Sequence, residues 1–147
     1  MLKFSFLIPI YNGEKYLARL LESLLEQDML YDDYEIICLS DCSPDNSVEI
    51  VKKFQQQYSN IKLIINEKNL RVATNINMLI SLACGEFVWM IGQDDFIEPN
   101  CLGRLYAKAK KDDLDILLFN YRRVNDDETT NAECRVFKES QVLSGLE

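Results

Sequence analysis

Short runs of apolar, β-branched and aromatic residues alternate with helical stripes along most of the chain, and this alternation restricts the fold more than any other feature. Phe4 to Ile8 reads as a strand that ends at Pro9. Asn12-Gly13-Glu14 then opens a helix, with Asn12 as its N-cap and Glu14 in the first turn, where acids are favoured. Leu17, Leu20, Leu21, Leu24 and Leu25 form a one-faced helical stripe. Tyr34 to Leu39 is a compact apolar run, hence a buried strand. Ser43-Pro44 reads as an N-cap followed by an N1 proline, opening a helix lined by Val48, Val51 and Phe54. A third strand is expected at Ile61 to Ile65. A third helix follows at Ala73 to Ala83, with Ile76, Leu79, Ile80 and Ala83 on one face and Gly85 as its C′ residue. Phe87 to Ile91 is a fourth strand, Pro99 starts a fourth helix, and Leu114 to Phe119 is a fifth strand, extended toward Val124. Asn125 to Glu133 is polar and acidic and reads as a loop.

Such strand-helix order with short connections gives right-handed βαβ units on a mostly parallel sheet. Ligands of these sheets bind at the carboxyl ends of the strands. Three segments therefore carry the functional information: Pro9-Ile10-Tyr11-Asn12, Ser40-Asp41 and Gly92-Gln93-Asp94-Asp95.

The 147 residues suit one domain of ordinary size, with enough chain to bury a core without disulfides. The net charge of −8 argues against non-specific nucleic-acid binding and against a polybasic membrane anchor. The absence of histidine excludes a Ser-His-Asp triad, a Cys-His pair and histidine metal sites. The five cysteines, Cys38, Cys42, Cys84, Cys101 and Cys134, form no CxxC pair and fit a reducing compartment. The apolar start is too short and alternating for a signal peptide, and no run is long enough for a membrane-spanning helix.

Asp94-Asp95 is the sharpest signal. Adjacent carboxylates repel unless a cation separates them from a bound anion, and a hard divalent ion completed by substrate phosphates is the usual solution. The alternative is a solvated turn ahead of the Pro99 helix. Asp41 stands at a strand end, able to accept from a base N–H or a ribose hydroxyl; its local alternative is to cap the helix near Pro44, for which Ser43 is better placed. Tyr11 offers an aromatic face for stacking on a base, against ordinary packing in a turn. Arg71 lies in a polar loop, where an arginine is usually solvated. Neither GxGxxG nor a P-loop signature is present, so a metal and carboxylates would replace a glycine-rich phosphate cradle.

Taken in order, these segments resemble the inverting family 2 glycosyltransferases of the GT-A fold. The resemblance runs from Phe4 to Leu17, through Ser40 to Ser47 and Glu67 to Leu79, to Gly85-Glu86-Phe87-Val88 leading into Gln93-Asp94-Asp95 and Phe96-Ile97-Glu98-Pro99. It implies a Rossmann-like GT-A α/β fold, mostly parallel and flanked by helices, with residues 1–147 forming a nucleotide-sugar-binding domain. It further implies that Pro9, Tyr11, Asn12 and Glu14 belong to the turn around the base. Asp41 would contact the base. Asp94 would meet the ribose, and Asp95, then Asp94, would hold a Mn²⁺ or Mg²⁺ ion bridging the diphosphate.

Ser40 stands where the family has the first acid of a pair, and Gly92 where the first acid of its DXD motif often is. Arg71 stands where many members have glycine, which makes it a donor contact by analogy with members that use arginine there; Ile76 stands where many have arginine, and Asn77 matches the asparagine that often follows that arginine. The expected activity is transfer from a nucleoside-diphosphate sugar, UDP-sugar favoured, to a saccharide or lipid-linked acceptor. The expected site of action is cytoplasmic, including the inner membrane face, with peripheral membrane association of the full-length protein. The catalytic base is expected beyond residue 147, rather than at Asp126, Asp127 or Glu128, and Leu146-Glu147 reads as a vector scar. Two other readings are a non-catalytic nucleotide-binding module and a receiver-like signalling domain. The latter needs an acid pair after the first strand, where this chain has Pro9 to Asn12.

Overall fold

The computed structural model describes residues 1–125 and the backbone of residues 130–134. The chain forms two compact units, Met1–Gly103 and Arg104–Glu147.

The first unit is built from β1 (Phe4–Ile10), α1 (Leu17–Leu25), β2 (Tyr34–Ser40), α2 (Ser47–Gln55), β3 (Ile61–Ile65), α3 (Arg71–Leu82) and β4 (Phe87–Met90). The four strands make one parallel sheet in the order β3-β2-β1-β4. In β1 and β2 nearly every residue is buried, as expected for strands covered on both faces. On one face Leu7, Ile37, Leu39 and Leu79 form a buried cluster joined by Ile64, Met78 and Ala83, so α3 lies against the middle of the sheet. Residues of opposite parity line the other face, where the Phe6 ring meets Tyr34 edge-on at 5.9 Å and Trp89 at 5.7 Å. All five leucines of the α1 stripe are buried, each contributing roughly 1.5–3 kcal/mol.

The end of the sheet remote from the strand carboxyl termini is closed by a buried polar pin. The Glu35 carboxylate, 2% exposed, accepts from Ser5 Oγ at 2.6 Å, Cys84 N at 2.7 Å and Lys62 Nζ at 2.6 Å. Burial opposes its charge, but these donors outweigh burial and hold its carboxyl below the ordinary value. Gly85 N donates to Ser5 Oγ at 2.8 Å. Gly85 does not have the positive φ of a C′ cap. Ala83 ends α3, and glycine is needed at 85 because a Cβ would lie 2.5 Å from the Phe4 and Ser5 backbone.

Other local expectations are also revised. β1 continues through Pro9 to Ile10. Asn12 is not an N-cap: it has φ 55°, and α1 starts only at Leu17. Ser43 does not cap α2, which starts at Ser47, because its hydroxyl is engaged by Asp45. Arg71, not Ala73, begins α3, and Ile80 is exposed rather than on the packed face, where Asn75 lies instead.

The second unit takes in most of α4 (Leu102–Lys111), in which Lys108 bridges to Asp112. The apolar run Leu114 to Phe119 is not a strand; Ile116, Leu118 and Phe119 are exposed and the ladder begins only at Tyr121. β5 (Tyr121–Val124) pairs antiparallel with β6 (Thr130–Cys134), so part of the expected acidic loop is strand. Asp126, Asp127, Glu128 and Leu146-Glu147 lie outside the described residues.

Candidate functional site

Three turns follow the carboxyl ends of β1, β2 and β4, and side chains lace them together. The β1–β2 register runs Phe4↔Tyr34 to Ile10↔Ser40, so both strands end level, and Asp41 N donates to Ile10 O at 2.9 Å. Tyr11 therefore leaves the sheet beside Asp41.

The Tyr11 turn is held from two sides. Toward α2, Asn12 N donates to Ser43 Oγ, Gly13 N to Ser47 Oγ and Glu14 N to Asp45 Oδ2. Asp45 also accepts from the Ser43 and Ser47 hydroxyls, both at 2.6 Å. Burial opposes ionisation of Asp45, yet these donors hold its carboxyl down to about 2. The Glu14 carboxylate accepts from Asn46 N and Asn46 Nδ2. Asn12 and Glu14 thus clamp the turn. On the opposite side Gln93 accepts from Tyr11 N at 2.8 Å and donates to Tyr11 O at 2.7 Å. The Tyr11 side chain is 48% exposed.

Asp41 is 4% exposed. Its Oδ1 accepts from Leu70 N at 2.7 Å and Asn66 Nδ2 at 2.9 Å, and its Oδ2 from Arg71 N at 2.9 Å. Asn66 Nδ2 is shared with Asn75 Oδ1 at 2.8 Å. Burial would raise the Asp41 carboxyl, but the Leu70, Asn66, Asn75 and Arg71 donors outweigh it and hold the carboxyl below its usual value. Asp41 therefore caps α3, not the helix adjacent in sequence, and satisfies amides that a helix start leaves unpaired.

Arg71 has φ 67°. This left-handed backbone favours glycine, so the chain keeps the geometry a glycine would give while adding an exposed arginine. Asn77 is exposed on α3, about 200° round the helix from Asn75, and does not join the Asp41 network. Pro9 sits half-buried within β1.

Gly92, Gln93, Asp94 and Asp95 form the turn after β4, closed by Asp95 N donating to Gly92 O at 3.1 Å. Both acids are exposed. A Cβ on Gly92 would lie 2.8 Å from Asp95 Oδ2 and 3.0 Å from Asp94 Oδ1, so the two carboxylates fold back over one point. Partial desolvation and then the Asp94 charge raise the Asp95 carboxyl, against the donation from Gly92 N. Residues of α1 and the turn just after it hold the following segment: Ser23 Oγ accepts from Ile97 N, Gln27 Oε1 from Cys101 N, and the Arg19 guanidinium stacks over Phe96 at 3.6 Å. Among the described residues no group of three or more acids or thiols is arranged for a metal. A divalent ion here would take Asp94 and Asp95 and complete its shell with phosphate oxygens and water, as magnesium sites commonly do.

Cys38 is buried, its thiol pushed up to about 12 by burial, while Cys42 is exposed; both are free. Sequence reasoning missed Gln93, Asp45, Asn66 and Asn75. Only Asn75 left a signal, a polar residue in register with Leu79 and Ala83 on the packed stripe.

The model of glycosyl transferase family 2 matches residues 5–144, and the chain belongs to this family. It is 34% identical over 125 residues to a poly(ribitol-phosphate) beta-glucosyltransferase of Bacillus spizizenii, covering 84% of this chain and 20% of that protein. The crystal structure of Staphylococcus aureus TarS 1-349 in complex with UDP superposes with a TM-score of 0.72 at 34% identity, covering 76% of this chain and 33% of that one. The same protein in complex with UDP-GlcNAc gives a TM-score of 0.72 at 34% identity, over 76% and 32% of the two chains. The chain thus spans well under half the length of these relatives. The fold is GT-A, a parallel sheet flanked by helices.

Proposed function

We propose that the first unit binds the nucleoside-diphosphate sugar donor of a glycosyltransferase, with UDP-sugar favoured. The observation that carries this reading is the convergence of the Tyr11 turn, Asp41 and the folded-back Asp94–Asp95 pair at one end of the sheet. Kinship to a TarS fragment described with UDP and UDP-GlcNAc supports the choice of base. Tyr11 supplies the stacking face for the base. Asp41, kept ionised by its donors, accepts from the base, and Arg71 reaches toward the diphosphate. Pro9 shapes the exit of β1, and Asn77 is assigned a weaker donor-side contact.

Asp95, with Asp94, would hold a Mn²⁺ or Mg²⁺ ion, which when bound supplies positive charge to the departing diphosphate. The acceptor is a saccharide or a lipid-linked molecule in this reading. Among the described residues no helix is long and apolar enough to cross a membrane. A cytoplasmic site of action, extending to the inner membrane face, remains part of the proposal.

Calorimetric titration with UDP and then GDP, with and without Mn²⁺, tests the reading. UDP should bind in a metal-dependent way, and Asp95→Ala should abolish the metal dependence. Absence of binding to the folded chain under all these conditions would overturn the proposal.

A further inference from the structure

β1 and β4 pair only from Phe4↔Phe87 to Leu7↔Met90, with a last bond from Ile91 N to Leu7 O at 3.1 Å. In a parallel ladder alternate residues turn their peptide groups to the same neighbour. On the β4 side the groups after Leu7 belong to Pro9, which has no N–H, and then to Tyr11. By Tyr11 the β4 backbone has turned away into the acidic turn. The Gln93 carboxamide, chemically a peptide group, takes its place and satisfies both Tyr11 N and Tyr11 O. The fit is tight: a Cβ on Gly13 would lie 2.7 Å from Gln93 Oε1 and 3.1 Å from its carboxamide carbon.

Gln93 is thus the only residue between Gly92 and Asp95 whose side chain is bonded to the Tyr11 turn among the described contacts. Its neighbour in sequence, Asp94, belongs to the proposed diphosphate and metal end of the site. We propose that Gln93 is a positioning residue: from within the acidic turn it sets the Tyr11 main chain at the distance needed to stack on the nucleoside. This rests on the donor-site reading above. Gln93 itself touches no ligand; it acts through Tyr11.

The test is a double-substitution cycle on the 147-residue chain, read by calorimetry with UDP and Mn²⁺ and by thermal unfolding. Gln93→Ala should weaken UDP binding about tenfold, the size expected when two hydrogen bonds no longer preorder a contact. Gly13→Ala, whose φ is compatible with alanine, should do the same by expelling the carboxamide. The double variant should match either single one, since the added methyl then fills vacated space.

Binding of Mn²⁺ with pyrophosphate should be the same in every variant, because the loss passes through the Tyr11 turn; a parallel fall in pyrophosphate binding would mark general damage and overturn the inference. If Gln93→Ala binds UDP as the unsubstituted chain does, the positioning role is refuted while the donor-site reading stands. If the unsubstituted chain binds no UDP, that reading fails and this inference fails with it.

Discussion

Asp41→Asn separates what this residue does for the fold from what it does for a ligand. Leu70 N and Asn66 Nδ2 bond to Oδ1 of the carboxylate, and Arg71 N bonds to Oδ2. An asparagine that keeps the first two must turn its NH₂ toward Arg71 N, so two donors face each other. The lost bond is charge-assisted and part-buried, with Asn69 Oδ1 at 3.1 Å as the remaining acceptor of Arg71 N, and is worth about 1.5–3 kcal/mol. The negative charge removed from the α3 N-terminus adds about 0.3–1 kcal/mol. The expected destabilisation is therefore about 2–4 kcal/mol. At roughly 2–4 °C per kcal/mol for a chain near this size, the melting midpoint should fall by roughly 4–16 °C. Thermal and urea unfolding without nucleotide reads this directly. An Asp41→Asn protein within about 1 kcal/mol of the original would refute the reasoning and leave Asp41 with no capping role.

Arg71→Gly should relieve the left-handed backbone, leaving stability unchanged or higher by up to about 1 kcal/mol once unfolded-chain entropy is counted, while weakening UDP binding; urea midpoints and calorimetry check the two effects separately. Gly85→Ala should destabilise by about 3 kcal/mol or more, because the new methyl meets strand backbone that cannot yield. Gly92→Ala should leave the melting midpoint nearly unchanged yet weaken metal-dependent nucleotide binding, since its methyl would push only on the Asp94 and Asp95 carboxylates. Asp45 has its folded carboxyl depressed from 3.8 to about 2. Its stabilisation is thus complete above pH 3.8 and is lost as pH falls through about 2, so Asp45→Asn should flatten the acid limb of a stability-against-pH curve over that interval.

The parallel sheet was legible because fully buried strands and one-faced helices write different periods into the chain. Leu17 to Leu25 could hardly be read otherwise. Run length failed at Leu114 to Phe119, where apolar residues continue but the ladder starts later. Capping was misread at Asn12 and Ser43 for a related reason. Both residues suit a cap, but the Asn12 amide is tied to Ser43, 31 residues away, and the Ser43 hydroxyl is taken by Asp45. Asp41 stood out because nothing nearby explained it, and its true partners lie 25–30 residues on. Gln93 was invisible beside two acids, since its role depends on a turn 82 residues earlier.

The Asp41 clasp on α3 grips position 71 by its amide alone. Whatever side chain stands there, the helix start is held in the same way, provided the backbone tolerates a left-handed turn. Position 71 is thereby released from the fold and can vary with the ligand: glycine, asparagine or arginine could alternate there during divergence with little disturbance to the sheet beneath. A lineage could change how this end of the sheet meets its ligand by a single codon, without first acquiring a compensating substitution in the core.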